Sequence, residues 1–410
     1  MTPLLRKLLG INWVLVLTMY GLLIFGVFSI ESAARHLDQG GAYFADRQKT
    51  WILIGTLVYF GVALTNYRWF RWLAPPLYVV AVGATLLATE NASGVHQLEL
   101  PGGIDFQPVQ LLLLAGILAS AWLLQDLPRL GRRIPKVGWL LDEPIVKIAS
   151  VGLVTGFPFL LVVKLGDMGS ALVWLPVAFV LMLAGGVPFR YLTFMVLVAV
   201  ASVPLLYFVV LPEVSERGPE RIEVYLDMLN GREVDTQGAA YAPHRVSMAV
   251  GKAGWSGVGW NAPEERGSIH AKRMIPVDTA HNDYIFAVIG EEQGFRGSLL
   301  LVTGFCLLLV ICLFIAAYAA DPMGRIIVCG VVAVFFAHVF ENIGMCVLLT
   351  PITGIPLPLI SYSGTFVVIC MFLLGLVQSV WIHRRPDKLY AVAEEPSEPS
   401  PGLVISSSAR

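Results

Sequence analysis

Long apolar runs separated by short polar breaks set the pattern of this chain. A helix satisfies its own backbone in lipid, and about 20 apolar residues cross the hydrocarbon layer. On that criterion the runs predict ten spans, at roughly residues 11–30, 50–66, 72–89, 107–125, 146–165, 168–186, 191–211, 297–318, 326–349 and 363–383. The segment over 212–282 is too polar to span and too long to be a simple connector. It carries Gly251, Gly254, Gly257 and Gly259 with Trp255 and Trp260, a mixture suited to close backbone approach and to the headgroup level. It predicts a partly helical cap over the bundle. Past Pro386 the chain turns to Glu, Pro and Ser with no apolar periodicity, so a bundle over 1–385 is expected to end in a disordered tail over 386–410.

Composition agrees with this pattern and excludes a soluble domain. Of 410 residues, 56% are hydrophobic and 14% charged, where about a quarter charged is usual for soluble domains. The expected fold is therefore an all-α polytopic membrane protein. The net charge of -1 says little, because the charges are segregated between loops. Their sidedness is informative: Arg6 and Lys7, Arg68 and Arg71, the cluster Arg129, Arg132, Arg133 and Lys136, then Arg190, Arg325, Arg384, Arg385 and Lys388 share one side of a ten-span topology. By the positive-inside rule that side is cytoplasmic, with both termini. The loop over 90–106 has no Lys or Arg and falls outside, as does 212–282; Arg35, Arg47 and Lys49 are the exceptions. The first run lacks a small-residue cleavage pattern, so no cleaved leader is expected. Cys306, Cys312, Cys329, Cys346 and Cys370 all sit in apolar runs and read as packing residues without a disulfide. Nothing in the charge pattern points to nucleic acid.

Candidate chemistry gathers at the outer ends of the spans. In His281–Phe295 (HNDYIFAVIGEEQGF), His281, Asn282 and Asp283 stand at the mouth of an apolar run. An ionisable residue at a membrane edge is a functional-site hypothesis by default. Asp283 is the first candidate; the alternative is a cap on the following helix. Gln107-Pro108-Val109-Gln110 opens the fourth span, with Pro108 in a favoured first-turn position. Gly166-Asp167-Met168-Gly169-Ser170 forms a tight hairpin, where Asp167 either caps the sixth span or joins the site. Pro351 to Pro358 leads into Ser361-Tyr362-Ser363-Gly364, an irregular stretch that must be buried or line a cavity. Together these describe an outward-facing cleft holding two carboxylates. Glu291 and Glu292 read as structural partners, and Glu341 and Asn342 as buried packing groups. His281 and His338 lack partners at ligand spacing, which argues against an imidazole metal site. Arg221, Arg245, Lys252, Lys272 and Arg273 form either a solvated face or a pyrophosphate clamp.

Five separated stretches carry a resemblance: Asp167 to Leu172 (DMGSAL), Arg221 to Asp227 (RIEVYLD), Met248 to Trp260 (MAVGKAGWSGVGW), His281 to Phe295, and Asn342 to Gly364 (NIGMCVLLTPITGIPLPLISYSG). In this order the chain resembles the SEDS family of shape, elongation, division and sporulation proteins, of the RodA/FtsW type, from the first span to the last. The resemblance implies a peptidoglycan glycosyltransferase that polymerises lipid II outside the cytoplasmic membrane during elongation or division, with a class B penicillin-binding protein as crosslinking partner. It places the family's His-Thr-Asp-Phe motif on His281 to Tyr284 and so implies that Asp283 is the catalytic base. Asp167, Gln107, Gln110, His281, Arg221, Arg245, Lys252 and Ser361 are the candidate substrate-binding residues. The implied product is undecaprenyl pyrophosphate, its charge met by Arg or Lys or by a divalent cation; the sequence shows no dedicated metal cage.

The chain departs from the family at several of these points. Gln110 stands where the family carries Glu, Leu113 where it carries Lys, Gln97-Leu98 where it carries Arg-Trp, and His338 where it carries Gln; Arg245-Val246 replaces a Gln-Ser pair. The interval from Trp260 to Asp283 is also longer. Loss of both members of a buried Glu-Lys pair can be neutral where loss of one is costly. The competing reading is a weak or inactive member serving as a scaffold for its crosslinking partner. A lipid-linked precursor flippase is a third, for which Lys164 and Glu341 are the relevant polar groups.

Overall fold

The computed structural model describes residues 3–90, 96–100, 104–133, 141–205, 208, 217–235 and 237–384. The tail expected over 386–410 lies outside them, as do Lys136, Arg385 and Lys388 of the basic pattern. A short helix α1 (Pro3–Leu9) precedes ten helices at the positions of the ten apolar runs: α2 (Trp13–Ala33), α3 (Gly40–Leu64), α4 (Phe70–Leu87), α5 (Pro108–Arg133), α6 (Pro144–Lys164), α7 (Met168–Ala184), α8 (Phe189–Leu205), α11 (Ile285–Ala317), α12 (Pro322–Cys346) and α13 (Thr365–Ile382). Helices α9 (Arg217–Leu229) and α10 (Tyr241–Lys252) belong to the polar segment between α8 and α11. Seven of the ten are long and apolar enough to cross a membrane by length and composition. The other three fall short for visible reasons: α3 begins with turns carrying Asp46, Arg47 and Lys49, while α7 and α8 have 17 residues each. The chain is a multi-pass helical membrane protein.

Apolar side chains build the centre. Leu112, Ile117 and Leu118 of α5, Ile327 and Val331 of α12, and Leu374 and Val377 of α13 are buried in one continuous core. Helix α3 packs along α13, α4 along α5, and α12 against both α7 and α11. By contrast, Phe189, Phe194, Leu197 and Val200 of α8 are exposed, as expected of a lipid-facing helix. Beyond the helices, β1 (Thr89–Glu90), β2 (His96–Leu100) and β3 (Ile104–Phe106) form a small antiparallel sheet at the mouth of α5.

The eighth apolar helix differs from the expected run over 297–318. It starts at Ile285, twelve residues earlier, and is broken at Gly294 (φ 67°, ψ −161°), a conformation that only glycine adopts without strain. A broken helix in a membrane protein must have its freed backbone groups satisfied by other protein. Here the polar segment supplies the partners: Val258 N donates to Glu291 O and Gly259 N to Glu292 O, both at 2.9 Å, while Gly254 O accepts from Phe295 N (2.9 Å) and Trp255 O from Arg296 N (3.2 Å). The side chains strengthen the strap. The Glu291 carboxylate accepts from Ile269 N, from His270 N (2.9 Å) and from the Ser268 hydroxyl (3.3 Å), and Glu292 accepts from the Ser32 hydroxyl. Both glutamates are structural, as expected, though their partners are mainly backbone and hydroxyl donors. Stretch 254–273 is thereby strapped across the break, and Ile285–Gln293 becomes a buried helix with Asp283 just ahead of it.

Candidate active site

The loop His281–Asp283 is held by its own carbonyls. His281 O accepts from Tyr362 N (3.0 Å), Asn282 O from the Ser361 hydroxyl (2.6 Å), and Asp283 O from Asn342 Nδ2 (2.8 Å). The donors in turn are fixed: Ser361 Oγ accepts from Leu357 N (2.8 Å), and Asn342 Nδ2 also donates to Ile355 O (2.7 Å). The proline- and glycine-rich stretch after α12 therefore acts as a mould for the loop. A rigid backbone under a reactive side chain keeps it near a productive geometry.

This clamp leaves the Asp283 side chain free for other work. The helix cap is Tyr284, with no side-chain capping bond, so Asp283 is not the cap that the spacing allowed. Its carboxylate is half-buried and faces Gly354, where a Cβ would come within 3.5 Å of Asp283 Oδ2. Gly354 (φ 73°) has no side chain to fill that space. Burial pushes the Asp283 carboxyl up to about 7, with the Asp167 charge adding to the effect and Arg221 opposing it.

Asp167 caps α7, accepting from Ser170 N at 3.0 Å, and its charge acts on Asp283. Its hairpin sits against the mould: a Cβ on Gly169 would lie 2.7 Å from Thr353 O. Arg221 lies on α9 beside a cavity of about 370 Å³, lined also by Glu220, Tyr225, Pro243, Leu348 and Thr350. The cavity roof is fastened by the Tyr225 hydroxyl, which donates to Leu349 O at 2.8 Å.

The remaining candidates occupy different surroundings. Arg245 is half-buried on α10, its guanidinium 5.8 Å from the Tyr241 ring centroid, with Nε lacking a hydrogen-bond partner. Lys252 is exposed at the end of α10. Gln110 is buried and donates to Gln107 Oε1 at 2.7 Å, while Leu113 packs into the apolar core. His281 is buried against Phe44 (4.8 Å between centroids) and Tyr362 (5.4 Å); desolvation holds its imidazole down at about 4, so it is neutral. Ser361 touches the site through the Asn282 carbonyl. His338 packs on Phe366 at 5.0 Å. Lys164 is exposed at the last position of α6.

Two residues read from the sequence as packing groups, one of them also a polar group of the flippase reading, lie close to the candidate site. Asn342 is fully buried and is the tie between α12 and the Asp283 backbone. Glu341, beside it, is 8% exposed and lies within electrostatic reach of Asp167. The visible signal was a Glu-Asn pair inside an apolar run. Among the described residues, no group of three or more His, Cys, Asp or Glu is arranged to hold a metal ion.

A family model described as "Cell cycle protein", covering FtsW, RodA and SpoVE, matches residues 7–386. The chain is 30% identical over 380 residues to the peptidoglycan glycosyltransferase MrdB of Escherichia coli K12, covering 90% of this chain and 93% of that protein. Among solved structures, one described as coordinating polymerization and crosslinking in a peptidoglycan synthase complex superposes with a TM-score of 0.69 at 24% identity, covering 92% of this chain and 99% of that one. The rod shape determining protein RodA of Thermus thermophilus superposes with a TM-score of 0.62 at 25% identity, over 92% and 98% of the two chains.

Proposed function

The chain belongs to the FtsW/RodA/SpoVE family of cell cycle proteins, and on that footing we propose that it is a peptidoglycan glycosyltransferase using Asp283 as its base. The carrying observation is a carboxylate titrating near 7, fixed by three backbone clamps at the end of a hydrophobic bundle. General bases work best with a pKa close to the operating pH, and such assistance is typically worth about 10²- to 10⁴-fold.

The substrate is lipid II, and the site faces outward from the cytoplasmic membrane with both termini inside, following the sidedness of Lys and Arg. Asp283 takes the proton of the acceptor sugar's 4-hydroxyl as that oxygen bonds to the donor's anomeric carbon. The anomeric bond to the pyrophosphate breaks with inversion, and undecaprenyl pyrophosphate departs with the bonding electrons. Arg221, which lines the cavity and lies within electrostatic reach of Asp283, would balance that charge. A class B penicillin-binding protein is the partner that crosslinks the glycan.

The altered Gln110 and Leu113 fit an active enzyme. A neutral Gln107–Gln110 pair beside a buried leucine needs no counter-charge, so the two changes together leave no stranded ion. The flippase reading loses support from Lys164, which is exposed at a helix end rather than held at mid-membrane. Incubating the purified protein and its penicillin-binding partner with lipid II tests the proposal. Glycan strands are expected; a folded, partner-bound complex that leaves lipid II unchanged would favour the scaffold reading.

A further inference from the structure

Arg221 and Tyr225 stand four residues apart on α9, so they share one face of the helix, and both line the cavity of about 370 Å³. Little else holds that helix, whose Leu226 and Leu229 are exposed. Among the described residues, the bond from the Tyr225 hydroxyl to Leu349 O (2.8 Å) is the one hydrogen bond that joins α9 to the rest of the protein; its other bonds run within α9 and the turn after it. Leu349, by contrast, is a fixed point. It lies in the turn Leu348–Thr350 that follows α12, where Leu348 holds φ at 58°, a conformation costly for a bulky residue. Leu349 N donates to Gly344 O at 2.8 Å, Thr350 N donates to the same oxygen at 3.3 Å, and a Cβ on Gly344 would come within 2.9 Å of Thr350 Oγ1. The chain then runs through Ile352, also in the cavity wall, to Ile355, the part of the mould that Asn342 ties to Asp283 O.

We propose that Tyr225 is a positioning residue of the reaction: by fastening α9 to the Leu348–Thr350 turn, its hydroxyl holds Arg221 over the cavity at a set distance from the Asp283 loop. The inference rests on the reading of Arg221 as the cation that meets the leaving pyrophosphate. Tyr225 acts without touching the substrate, since its hydroxyl proton is engaged by Leu349 O. Charge on the pyrophosphate grows as the anomeric bond breaks, so a cation placed in advance lowers the barrier, whereas one on a swinging helix must first be ordered. The tether is exposed to solvent, and a bond of that kind is worth a factor of about three to ten in such an ordering. A phenylalanine at 225 keeps the ring against the cavity wall and loses only the tether.

The test pairs two measurements on Tyr225→Phe. In the purified full chain without substrate, the amides of 221–229 and of 349–350 should exchange about three- to tenfold faster than native, with α5 and α11 unchanged. With lipid II and the proposed penicillin-binding partner, kcat should fall by about the same factor while KM stays within about twofold. In an Arg221→Gln background the same substitution should change kcat by less than about twofold, because Tyr225 acts through the guanidinium. Native exchange in the Phe variant overturns the proposal whatever the enzyme does. So does a loss of kcat that is equal in the two backgrounds, or a loss carried by KM alone. A native complex that leaves lipid II unchanged sinks the reaction instead, while the exchange still decides whether Tyr225 holds α9.

Discussion

Replacing Asn342 with leucine should disable the site without touching a reacting group. The native amide donates to Asp283 O at 2.8 Å and to Ile355 O at 2.7 Å; the second bond is buried and the first part-buried. Leucine has similar volume and no donor, so one buried and one part-buried carbonyl lose their partner. An unsatisfied buried group costs about 1–3 kcal/mol, which applies in full to Ile355 O and only in part to Asp283 O. Removing Asn342 Oδ1, which itself has no partner, offsets part of that. The loss falls on the contact between α12, the irregular stretch and the Asp283 loop, so the loop should shift even if the bundle stays folded. A displacement of about 1 Å at a catalytic group can cost about 10²-fold in rate. Two measurements on one preparation check this: hydrogen exchange over 281–285 and lipid II polymerisation. Faster exchange with a fall in kcat of one to two orders of magnitude is expected. Native exchange and a rate within about twofold of native would refute the idea that the Asn342 clamp positions Asp283.

Other consequences follow from the same geometry. With the Asp283 carboxyl raised to about 7, kcat/KM should fall tenfold per unit as pH drops below that value. The linkage runs the other way for stability: the folded state binds this proton more tightly than the unfolded chain, so the contribution is present at low pH and lost as pH rises through 7. Asp283→Asn should therefore melt above the native protein at pH 8, and an equal or lower melting point would contradict the burial cost. Asp167→Asn keeps a good capping side chain for α7 but removes the charge that adds to the Asp283 shift, so the acid limb should move to lower pH with little loss of stability. Gly294→Ala should destabilise the protein by several kcal/mol in thermal melts, because a Cβ there meets the Gly257 backbone and φ is 67°; near-native melting would mean that the strap over 254–259 is dispensable.

Much of the bundle was legible in the chain because hydrocarbon permits few solutions. Ten apolar runs became ten helices among the described residues. The start of α11 was hidden because Glu291, Glu292 and Gln293 interrupt the hydropathy just where a helix continues; their donors come from Ser32 and 258–270, distant in sequence. Asp283 was legible as a carboxylate at a membrane edge, yet the choice between cap and free side chain depended on Tyr284 taking the capping position. Asp167 looked like either a cap or a site group because it caps α7 while its charge also bears on Asp283. Gln107 and Gln110 were visible as an opening motif, but their bond to each other was not.

The most direct test of the account compares native protein with Asp283→Asn, each purified with the proposed penicillin-binding partner and supplied with lipid II at pH 8. The native complex should build glycan strands, while the variant, folded and partner-bound, should be slower by about 10²- to 10⁴-fold. Equal rates from the two would show that the proton of the acceptor hydroxyl leaves by another route and that Asp283 is not the base.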